Sequence, residues 1–172
     1  MIFDRYLLNF FIYIRTEEIS FFVLVITYFG GIATTFTVTV LSCLSFYIHN
    51  EKKEIQRLII SVFGSIFTVF IIKNLIERPR PIEALYKEST SAFPSAHAAI
   101  AVSLYGFLLW HVYKQKKQRF KNLLIATLAI LIILLGISRL YLGVHYLSDV
   151  LAGYTVGFMW LSFSLGISKL KT

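Results

Sequence analysis

The hydrophobic residues of this chain fall into long stretches rather than into short alternating patterns. Four of them cover about residues 20–48, 55–76, 121–137 and 147–168. A fifth, at 94–113, is interrupted near its start by Ser95 and His97. Each stretch can cross about 30 Å of hydrocarbon at about 1.5 Å per helical residue. Because backbone polar groups must be paired inside lipid, and the alternation of barrel strands is missing, the sequence predicts five transmembrane α-helices.

A different pattern precedes the first long stretch, at residues 2–14. Apolar side chains recur there at helical spacing: Phe3, Tyr6, Leu7, Phe10, Phe11 and Ile14. Asp4, Arg5 and Asn9 lie off this stripe, as in a helix that rests in the membrane interface. The segment is short for a transmembrane helix, and a sixth, atypical span is the alternative.

The composition supports a membrane protein. Of the 172 residues, 57% are hydrophobic, and the mean hydropathy is +0.72, whereas soluble domains average about 45–50% apolar residues. We therefore expect an all-α, polytopic membrane bundle in which residues 1–172 form a single domain, without internal repeats or linkers. No removable signal peptide is expected, and Cys43, inside an apolar stretch, is interpreted as a core residue.

The formal net charge of +8 reflects basic residues that cluster at the ends of the apolar stretches. Ten of them lie in segments that we expect to be cytoplasmic: Lys52, Lys53, Arg57, Lys114, Lys116, Lys117, Arg119, Lys121, Lys169 and Lys171. Seven fall on the opposite side: Arg5, Arg15, Lys73, Arg78, Arg80, Lys87 and Arg139. Because this distribution serves membrane orientation, no nucleic-acid partner is expected, and the 77–93 and 138–147 connections should be extracytoplasmic.

Three polar clusters, at residues 73–81, 93–97 and 138–149, occur where predicted helices end on that same side. Ionisable groups near membrane depth are costly, so their convergence indicates a functional site. The clusters contain three cations whose geometry and charge suit phosphate oxygens: Lys73, Arg80 and Arg139. The sequence therefore predicts a phosphate-binding pocket at the outer rim of the bundle.

Two histidines and one carboxylate could supply the groups for phosphoryl transfer. Asp149 follows His145 by four residues, so it can hold one imidazole nitrogen protonated while the other attacks phosphorus. His97, from another helix, can protonate the leaving oxygen. Pro94 and Ser95 predict a helix N-terminus, whose amides favour an anion. We expect no metal or cofactor, because the three cations balance the charge that Mg²⁺ would otherwise balance.

These clusters resemble the three signatures of the type 2 phosphatidic acid phosphatases. The motifs are Lys-x6-Arg-Pro at 73–81, Pro-Ser-x-His at 94–97 and Ser-Arg-x5-His-x3-Asp at 138–149, and the resemblance spans about residues 20–168. It implies a helical bundle with an extracytoplasmic site, His145 as nucleophile, Asp149 as its orienting partner and His97 as general acid. It also implies that the phosphoryl group is bound by Lys73, Arg80, Ser95, Ala96 and Arg139.

Two departures from the family pattern stand out. The second signature usually has glycine where this chain has Ala96, which matters if that position needs a positive φ or a close approach to phosphate. Family members also commonly have six spans, whereas here the interfacial segment alone precedes the first long stretch. The first departure affects fine phosphate geometry more than activity.

Simpler interpretations exist for each residue taken alone. Lys73 and Arg80 could be interfacial anchors, His97 a bundle histidine, and His145 with Asp149 a helix-end pair. Their joint occurrence favours a site. Three charged residues near its entrance are interpreted as a solvated loop: Glu77, Arg78 and Glu83.

The function predicted from these residues is hydrolysis of a phosphate monoester or diphosphate on a membrane lipid, in the bacterial cytoplasmic membrane. The candidate substrates are phosphatidylglycerol phosphate, undecaprenyl diphosphate, phosphatidic acid and lipid A phosphates, with a slight preference for the first two. The alternative is a lipid-phosphate binding or flipping protein without turnover. A soluble haloperoxidase with related motifs is excluded by the hydrophobicity, and the sequence does not indicate an oligomeric state.

Overall fold

The structure is a computed structural model that describes residues 2–115 and 119–167, and the regular elements of this part of the chain are helical. In chain order they are α1 (Ile2–Tyr13), α2 (Glu17–Tyr28), α3 (Ile32–Ile48), α4 (Lys52–Ile76), α5 (Ala96–Ile100), α6 (Gly106–Lys114), α7 (Lys121–Tyr141) and α8 (Leu147–Gly166). A π-helical turn at Ala101–Tyr105 joins α5 to α6, so Ala96–Lys114 is one continuous helix.

The helical membrane bundle predicted from the sequence is confirmed, although the number of spans is approximate. Three helices are long and apolar enough to cross a membrane, namely α4, Ala96–Lys114 and α7, and the bent pair of α2 and α3 makes up to four. The 20-residue α8 corresponds to the fifth predicted span. It is not among the helices that meet this criterion of length and apolarity.

The first predicted span, 20–48, is two helices rather than one. Helices α2 and α3 meet at an angle of 43° across Phe29, Gly30 and Gly31. At the break, the hydroxyl of Tyr105 donates to the carbonyl oxygen of Phe29 at 2.5 Å. A Cβ atom on Gly30 would lie 2.7 Å from Cδ2 of His97, so glycine lets the break pack directly against that ring.

Helix α1 has the predicted apolar stripe, with Phe3 and Tyr6 exposed by 78% and 70%. Its 12 residues extend about 18 Å at about 1.5 Å per residue, which is too short to cross a bilayer. Its position in the membrane interface stays a prediction. Asp4 differs from the expectation, because with Leu8 it is buried against the bundle rather than placed on a water-facing side.

Small residues of α8 allow close contact with the neighbouring helices. A Cβ atom on Gly153 or Gly157 would lie 2.4 Å from the carbonyl oxygens of Ser95 and Ala99, respectively. On α4, Gly64 lies against the indole of Trp160. Such small-residue contacts bring helix backbones together in membrane proteins, and here they hold the start of α5 against α8.

The largest group of buried apolar residues lies deeper in the bundle, between α3, α4, the π-helical turn, α6 and α7. It includes Phe46, Leu58, Leu104, Phe107 and Leu135. The outer faces of the helices are apolar too, for example at Phe63 and Phe67 of α4. In this membrane protein these outer faces suit contact with lipid.

Several expected cytoplasmic cations belong to the opposite end of the bundle from the polar clusters. Lys52, Lys53 and Arg57 lie in the first turns of α4, and Lys114 ends α6. Four of the expected cytoplasmic cations lie outside the described residues: Lys116, Lys117, Lys169 and Lys171. Residue 168, the end of the last predicted span, also lies outside them. The single domain over 1–172 stays a prediction.

We expect Gly64→Ala to destabilise the bundle, because the added Cβ would lie 2.2 Å from Cε3 of Trp160. Overpacking of this kind typically costs about 1–3 kcal/mol. The midpoint of thermal unfolding in detergent should therefore fall by several degrees. Gly166→Ala is the matched control, since a Cβ on Gly166 meets no atom within 4 Å. Equal midpoints for the two variants would contradict the tight contact between α4 and α8.

Candidate active site

The predicted site residues meet at one end of the bundle, where α4 ends, α5 begins, and α7 is followed by α8. The loop that joins α4 to α5 folds back across this end and contributes further side chains. His97, His145 and Lys73 line one large cavity. The two histidines therefore lie on the same side of the molecule, as the proposed chemistry requires.

His145 lies in the short connection between α7 and α8 and is 2% exposed. Its Nε2 atom is 3.2 Å from Nη1 of Arg80, which also donates to the carbonyl oxygen of Val144 at 2.8 Å. Burial, above all, and the charges of Arg139 and Arg80 lower the pKa of His145 to about 4. The ring is therefore neutral at physiological pH, the state that a nucleophilic imidazole needs.

Asp149 lies in the first turn of α8, fully buried, as the predicted four-residue spacing requires. Its Oδ2 atom accepts a hydrogen bond from the amide of Tyr146 at 2.8 Å and lies 3.6 Å from Nδ1 of His145. That distance is longer than a hydrogen bond, and within the described part of the chain Nδ1 has no hydrogen-bond partner. The carboxylate faces the correct ring nitrogen but does not contact it closely in this structure.

Arg139 and Arg80 are held together by a carboxylate that the sequence interpretation did not include. Glu88 forms ion pairs with both guanidinium groups: Oε1 contacts Arg139, and Oε2 lies 2.6 Å from Nη2 of Arg80. Burial by itself raises the pKa of Glu88, but the two arginines outweigh it and lower that pKa to about 2. Glu88 is therefore ionised near neutral pH and lies between the two predicted phosphate ligands.

The remaining contacts of the two arginines fix their orientation. Arg139 is fully buried at the end of α7, where its Nη1 atom donates to Thr27 Oγ1 at 2.8 Å and to the hydroxyl of Tyr86 at 2.6 Å. A helix C-terminus also favours a cation. Arg80 donates through Nε to the carbonyl oxygen of Thr90 at 2.7 Å. Both guanidinium groups are thus positioned before any ligand binds.

The other predicted phosphate ligands, Lys73, Ser95 and Ala96, lie at the same end of the bundle. The ammonium group of Lys73 donates to the carbonyl oxygen of Ser91. Ser95 caps the helix that begins at Ala96, because its Oγ accepts from the amide of Ala98 at 3.5 Å. Its own amide donates to the carbonyl oxygen of Asp149 at 3.0 Å, so that amide is already used. Ala96 is helical and has no positive φ, which removes the conformational reason for glycine there.

The large cavity runs from these polar groups along α3 and α4 and has a volume of about 1220 Å³. Polar residues line one end, including Lys73, Glu88 and both histidines, whereas apolar residues line the rest, among them Phe36, Leu44, Ile59 and Phe63. A smaller cavity of about 320 Å³ lies beside His97 and α2. The polar site therefore opens into an apolar groove that extends along the membrane-spanning helices.

The family model of the PAP2 superfamily matches residues 54–171, about two thirds of the chain. The chain belongs to the PAP2 superfamily. The match includes each of the three motifs that carried the resemblance found in the sequence.

Two curated relatives of this PAP2 chain are lipid phosphatases by name. It is 36% identical over 92 residues to phosphatidylglycerophosphatase B of Bacillus subtilis (strain 168). The matched region covers 52% of this chain and 45% of that protein. It is 29% identical over 114 residues to lipid phosphate phosphatase delta of Arabidopsis thaliana, covering 57% of this chain and 27% of the relative. The matched regions span less than half of either relative.

Two crystal structures share the fold of this PAP2 chain. The first transmembrane PAP2 type phosphatidylglycerolphosphate phosphatase from Bacillus subtilis superposes with a TM-score of 0.89 at 23% identity, covering 98% of this chain and 86% of the other. Aquifex aeolicus LpxE superposes with a TM-score of 0.77 at 22% identity, covering 94% of both. At these identities the likeness establishes the transmembrane helical fold.

Arg78 corrects the expectation of a solvated loop. Its side chain is 17% exposed, and its Nη1 atom lies 2.5 Å from Oδ1 of Asp149. Its Nη2 atom lies 3.0 Å from Oδ2 of Asp4 in α1. Arg78 is thus a direct ion-pair partner of the carboxylate that faces the candidate nucleophile. Glu83 is exposed, in agreement with the expectation for that residue.

Charge balance is the signal that could have indicated Glu88 from the sequence. Three cations predicted to converge near membrane depth repel one another unless an anion lies among them. The loop at 77–93 offers three carboxylates for this role, namely Glu77, Glu83 and Glu88. The choice among them depends on how the loop folds back, which local sequence patterns do not specify.

We expect Glu88→Gln to tighten the binding of an anion at Arg80 and Arg139. The substitution keeps the side-chain shape but removes the negative charge that occupies both guanidinium groups. The dissociation constant of inorganic phosphate or orthovanadate, measured by calorimetry in detergent, should fall by about tenfold or more. Glu83→Gln makes the same change of charge at an exposed position of the same loop and should leave it unaltered. Weaker binding by Glu88→Gln would contradict the view that the Glu88 carboxylate competes with anions for Arg80 and Arg139.

The ring of His145 should remain neutral well below pH 6. Since burial and two nearby arginines lower its pKa to about 4, protonation should begin only as the pH approaches that value. Nitrogen NMR of ¹⁵N-histidine-labelled protein, with His145→Gln used for assignment, would follow the titration. A midpoint for His145 near that of an unperturbed imidazole, about pH 6.5, would contradict the environment described.

Proposed function

We propose that this chain hydrolyses a phosphate monoester or diphosphate on a membrane lipid through a phosphohistidine intermediate at the extracytoplasmic face. The observation that carries the proposal is the position of His145. Its Nε2 atom lies beside Arg80 in a cavity that also contains His97 and continues as an apolar groove. A nucleophile, cations for phosphate and a path for acyl chains thus occupy one continuous space.

Substrate binding begins with the phosphoryl group at Lys73, Arg80 and Arg139. In the structure the carboxylate of Glu88 contacts both arginines, so the phosphoryl oxygens take over these contacts as Glu88 withdraws. A further buried donor, Nε of Arg139, has no hydrogen-bond partner among the described residues. Guanidinium groups that contact two oxygens at once favour phosphate over a single carboxylate of lower charge.

The first chemical step transfers the phosphoryl group to His145. The lone pair of Nε2 attacks phosphorus, the bond between phosphorus and the lipid oxygen breaks, and the leaving oxygen receives a proton from His97. Asp149 holds the proton on Nδ1 and stabilises the positive charge that develops on the ring. The 3.6 Å separation between Nδ1 and Oδ2 closes as that charge forms, because catalytic hydrogen bonds often tighten only in the reacting complex.

The second step restores the enzyme. A water molecule gives a proton to His97 and attacks phosphorus, the bond between phosphorus and Nε2 breaks, and inorganic phosphate is released. His145 is neutral again, and His97 carries the proton for the next cycle. Lys73, Arg80 and Arg139 supply positive charge at the equatorial oxygens in both steps. The proposed reaction therefore needs no metal ion.

The apolar groove supports a lipid as substrate. Its walls come from α3 and α4 and extend from the polar site towards Tyr47 and Ile55, near the opposite ends of these helices. An acyl or prenyl chain can lie there while its phosphate reaches His145. We propose phosphatidylglycerol phosphate, undecaprenyl diphosphate, phosphatidic acid or a lipid A phosphate as substrate, with a slight preference for the first two. The names of the relatives favour this class of lipid.

The distribution of basic residues supports the proposed orientation of the site. Of the seven expected outside, three form the phosphate pocket, and two more, Arg15 and Arg78, are used in contacts within the protein. Arg5 and Lys87 are exposed. The segments expected to be cytoplasmic contain ten basic residues in the sequence, so the imbalance supports an extracytoplasmic site in a bacterial cytoplasmic membrane.

Purified protein should release inorganic phosphate from at least one of the four candidate lipids in detergent, and it should do so in the presence of EDTA. His145→Ala should lower kcat by about 10³-fold or more, because it removes the attacking atom. His49→Ala, an exposed histidine at the other end of α3, is the matched control. When the reaction with ³²P-labelled substrate is quenched rapidly without acid, labelled phosphate should be found bound to the wild-type protein but not to His145→Ala.

The outcomes separate hydrolysis from its alternative. If His145→Ala is as active as wild type, or EDTA abolishes turnover, the proposed mechanism is wrong. If no lipid yields phosphate while reconstituted protein moves lipid phosphates across vesicles, and this movement survives His97→Ala, a binding or flipping function is favoured instead. Phosphate release across the four lipids would also rank the substrates.

A further inference from the structure

A chain of charged side chains links the first turn of α1 to the carboxylate beside His145. Asp4 is 6% exposed, and its Oδ1 atom accepts from the amide of Ser148 at 3.0 Å. Its Oδ2 atom accepts from the hydroxyl of Ser148 at 2.8 Å and lies 3.0 Å from Nη2 of Arg78. Asp4 therefore holds both the N-terminal turn of α8 and a guanidinium group from the loop after α4.

Arg78 joins this contact to the candidate catalytic residues. Its Nη1 atom lies 2.5 Å from Oδ1 of Asp149 and donates to the hydroxyl of Ser148 at 2.7 Å. Its guanidinium plane lies over the ring of Tyr146, 4.5 Å from the centroid. One guanidinium group thus faces two carboxylates, one in α1 and one in the first turn of α8.

The charge balance of this group affects Asp149. With Asp4 present, two carboxylates share one guanidinium, so Asp149 retains negative charge for the Nδ1–H of His145. Without Asp4, one of the two carboxylates that face Arg78 would be lost, so Asp149 would be more fully neutralised and would accept a hydrogen bond less strongly. Arg78 would also lose the contact between its Nη2 atom and the Asp4 carboxylate, which helps to fix the guanidinium group. Both changes weaken the support of the His145 ring.

We propose that Asp4 is a positioning residue for the phosphoryl-transfer step: by holding Arg78 and the first turn of α8, it fixes the Asp149 carboxylate that orients His145. This inference rests on the proposed function. Helix α1 then contributes to the catalytic unit. Its apolar face is exposed at Phe3 and Tyr6, and its opposite face carries Asp4 into the bundle.

The test compares Asp4→Asn with two other substitutions in α1. Asp4→Asn keeps the shape and an oxygen that can accept from Ser148 but removes the charge that Arg78 contacts. Leu8→Ala removes a buried contact of the same helix without touching the ion pairs, and Arg5→Gln changes an exposed charge. For each purified variant, kcat and KM for the best lipid substrate and the midpoint of thermal unfolding are measured.

We expect Asp4→Asn to lower kcat by about 10- to 100-fold. Losses of this size are typical when a residue that orients a reactive group indirectly, through a neighbouring side chain, is removed. KM should change by less than about threefold, since the arginines that bind phosphate are not altered. Asp4→Glu, which keeps the charge, should recover part of the loss. Leu8→Ala should lower the unfolding midpoint without a comparable loss of kcat, and Arg5→Gln should match wild type.

Specific outcomes would overturn the proposal. They are an unchanged kcat in Asp4→Asn, or a loss of kcat that parallels the unfolding midpoint equally in Asp4→Asn and Leu8→Ala. If Asp4→Asn does not accumulate in cells, Ser148→Ala is the second variant, because it removes the hydroxyl that lies between Asp4 and Arg78. It should lower kcat in the same way. An unchanged kcat in Ser148→Ala would also contradict the proposal. Failure of the proposed function is distinct, because wild type would then release no phosphate, or His145→Ala would be fully active.

Discussion

The need to neutralise buried charge at one end of a membrane bundle governs the arrangement of this protein. Arg139 and Asp149 are both fully buried, and an unpaired ion in such a place is strongly unfavourable. Each therefore has an ionic partner from a segment distant in the chain: Glu88 for Arg139, and Arg78 for Asp149. These pairs draw the loop after α4 across the end of the bundle. The position of the loop in turn determines the position of Arg80 beside His145.

The same constraint shapes the proposed phosphate pocket. Glu88 pairs with the guanidinium groups of Arg80 and Arg139, so part of their charge is already compensated. In the proposed reaction the phosphoryl group takes the place of that carboxylate. On the other side of His145, Asp149 is anchored by Arg78 and by the amide of Tyr146. The imidazole thus lies between a cationic half that suits the substrate and an anionic half that suits its own protonated nitrogen.

Helix packing gives this polar end access to lipid. The break between α2 and α3 places Gly30 against His97, and the groove along α3 and α4 leads from the site into the apolar part of the bundle. Close contacts of Gly153 and Gly157 hold the start of α5 against α8, so the two histidine-bearing segments are supported by one helix pair. The outer surface remains apolar at positions such as Phe63 and Phe67. A membrane-facing groove and a rigid polar site can therefore exist in a chain of 172 residues.

The sequence alone determined that this is a helical membrane protein, and its motifs predicted which side chains meet at one end of the bundle. Hydropathy and helical periodicity are local properties, so the long apolar stretches predicted α4, α7 and α8, and the motif spacing brought Lys73, Arg80, His97, Arg139, His145 and Asp149 to one end of the bundle. The tertiary structure alone decided which ions pair. Glu88 rather than Glu77 or Glu83 lies between the arginines, and Asp4 reaches Ser148 across 144 positions of the chain. Partner choice among buried charges depends on how distant segments fold back on one another, and no local pattern encodes that geometry. The bend between α2 and α3 was missed for a related reason: the glycine pair could be seen in the sequence, but the ring of His97 that packs against it comes from another helix.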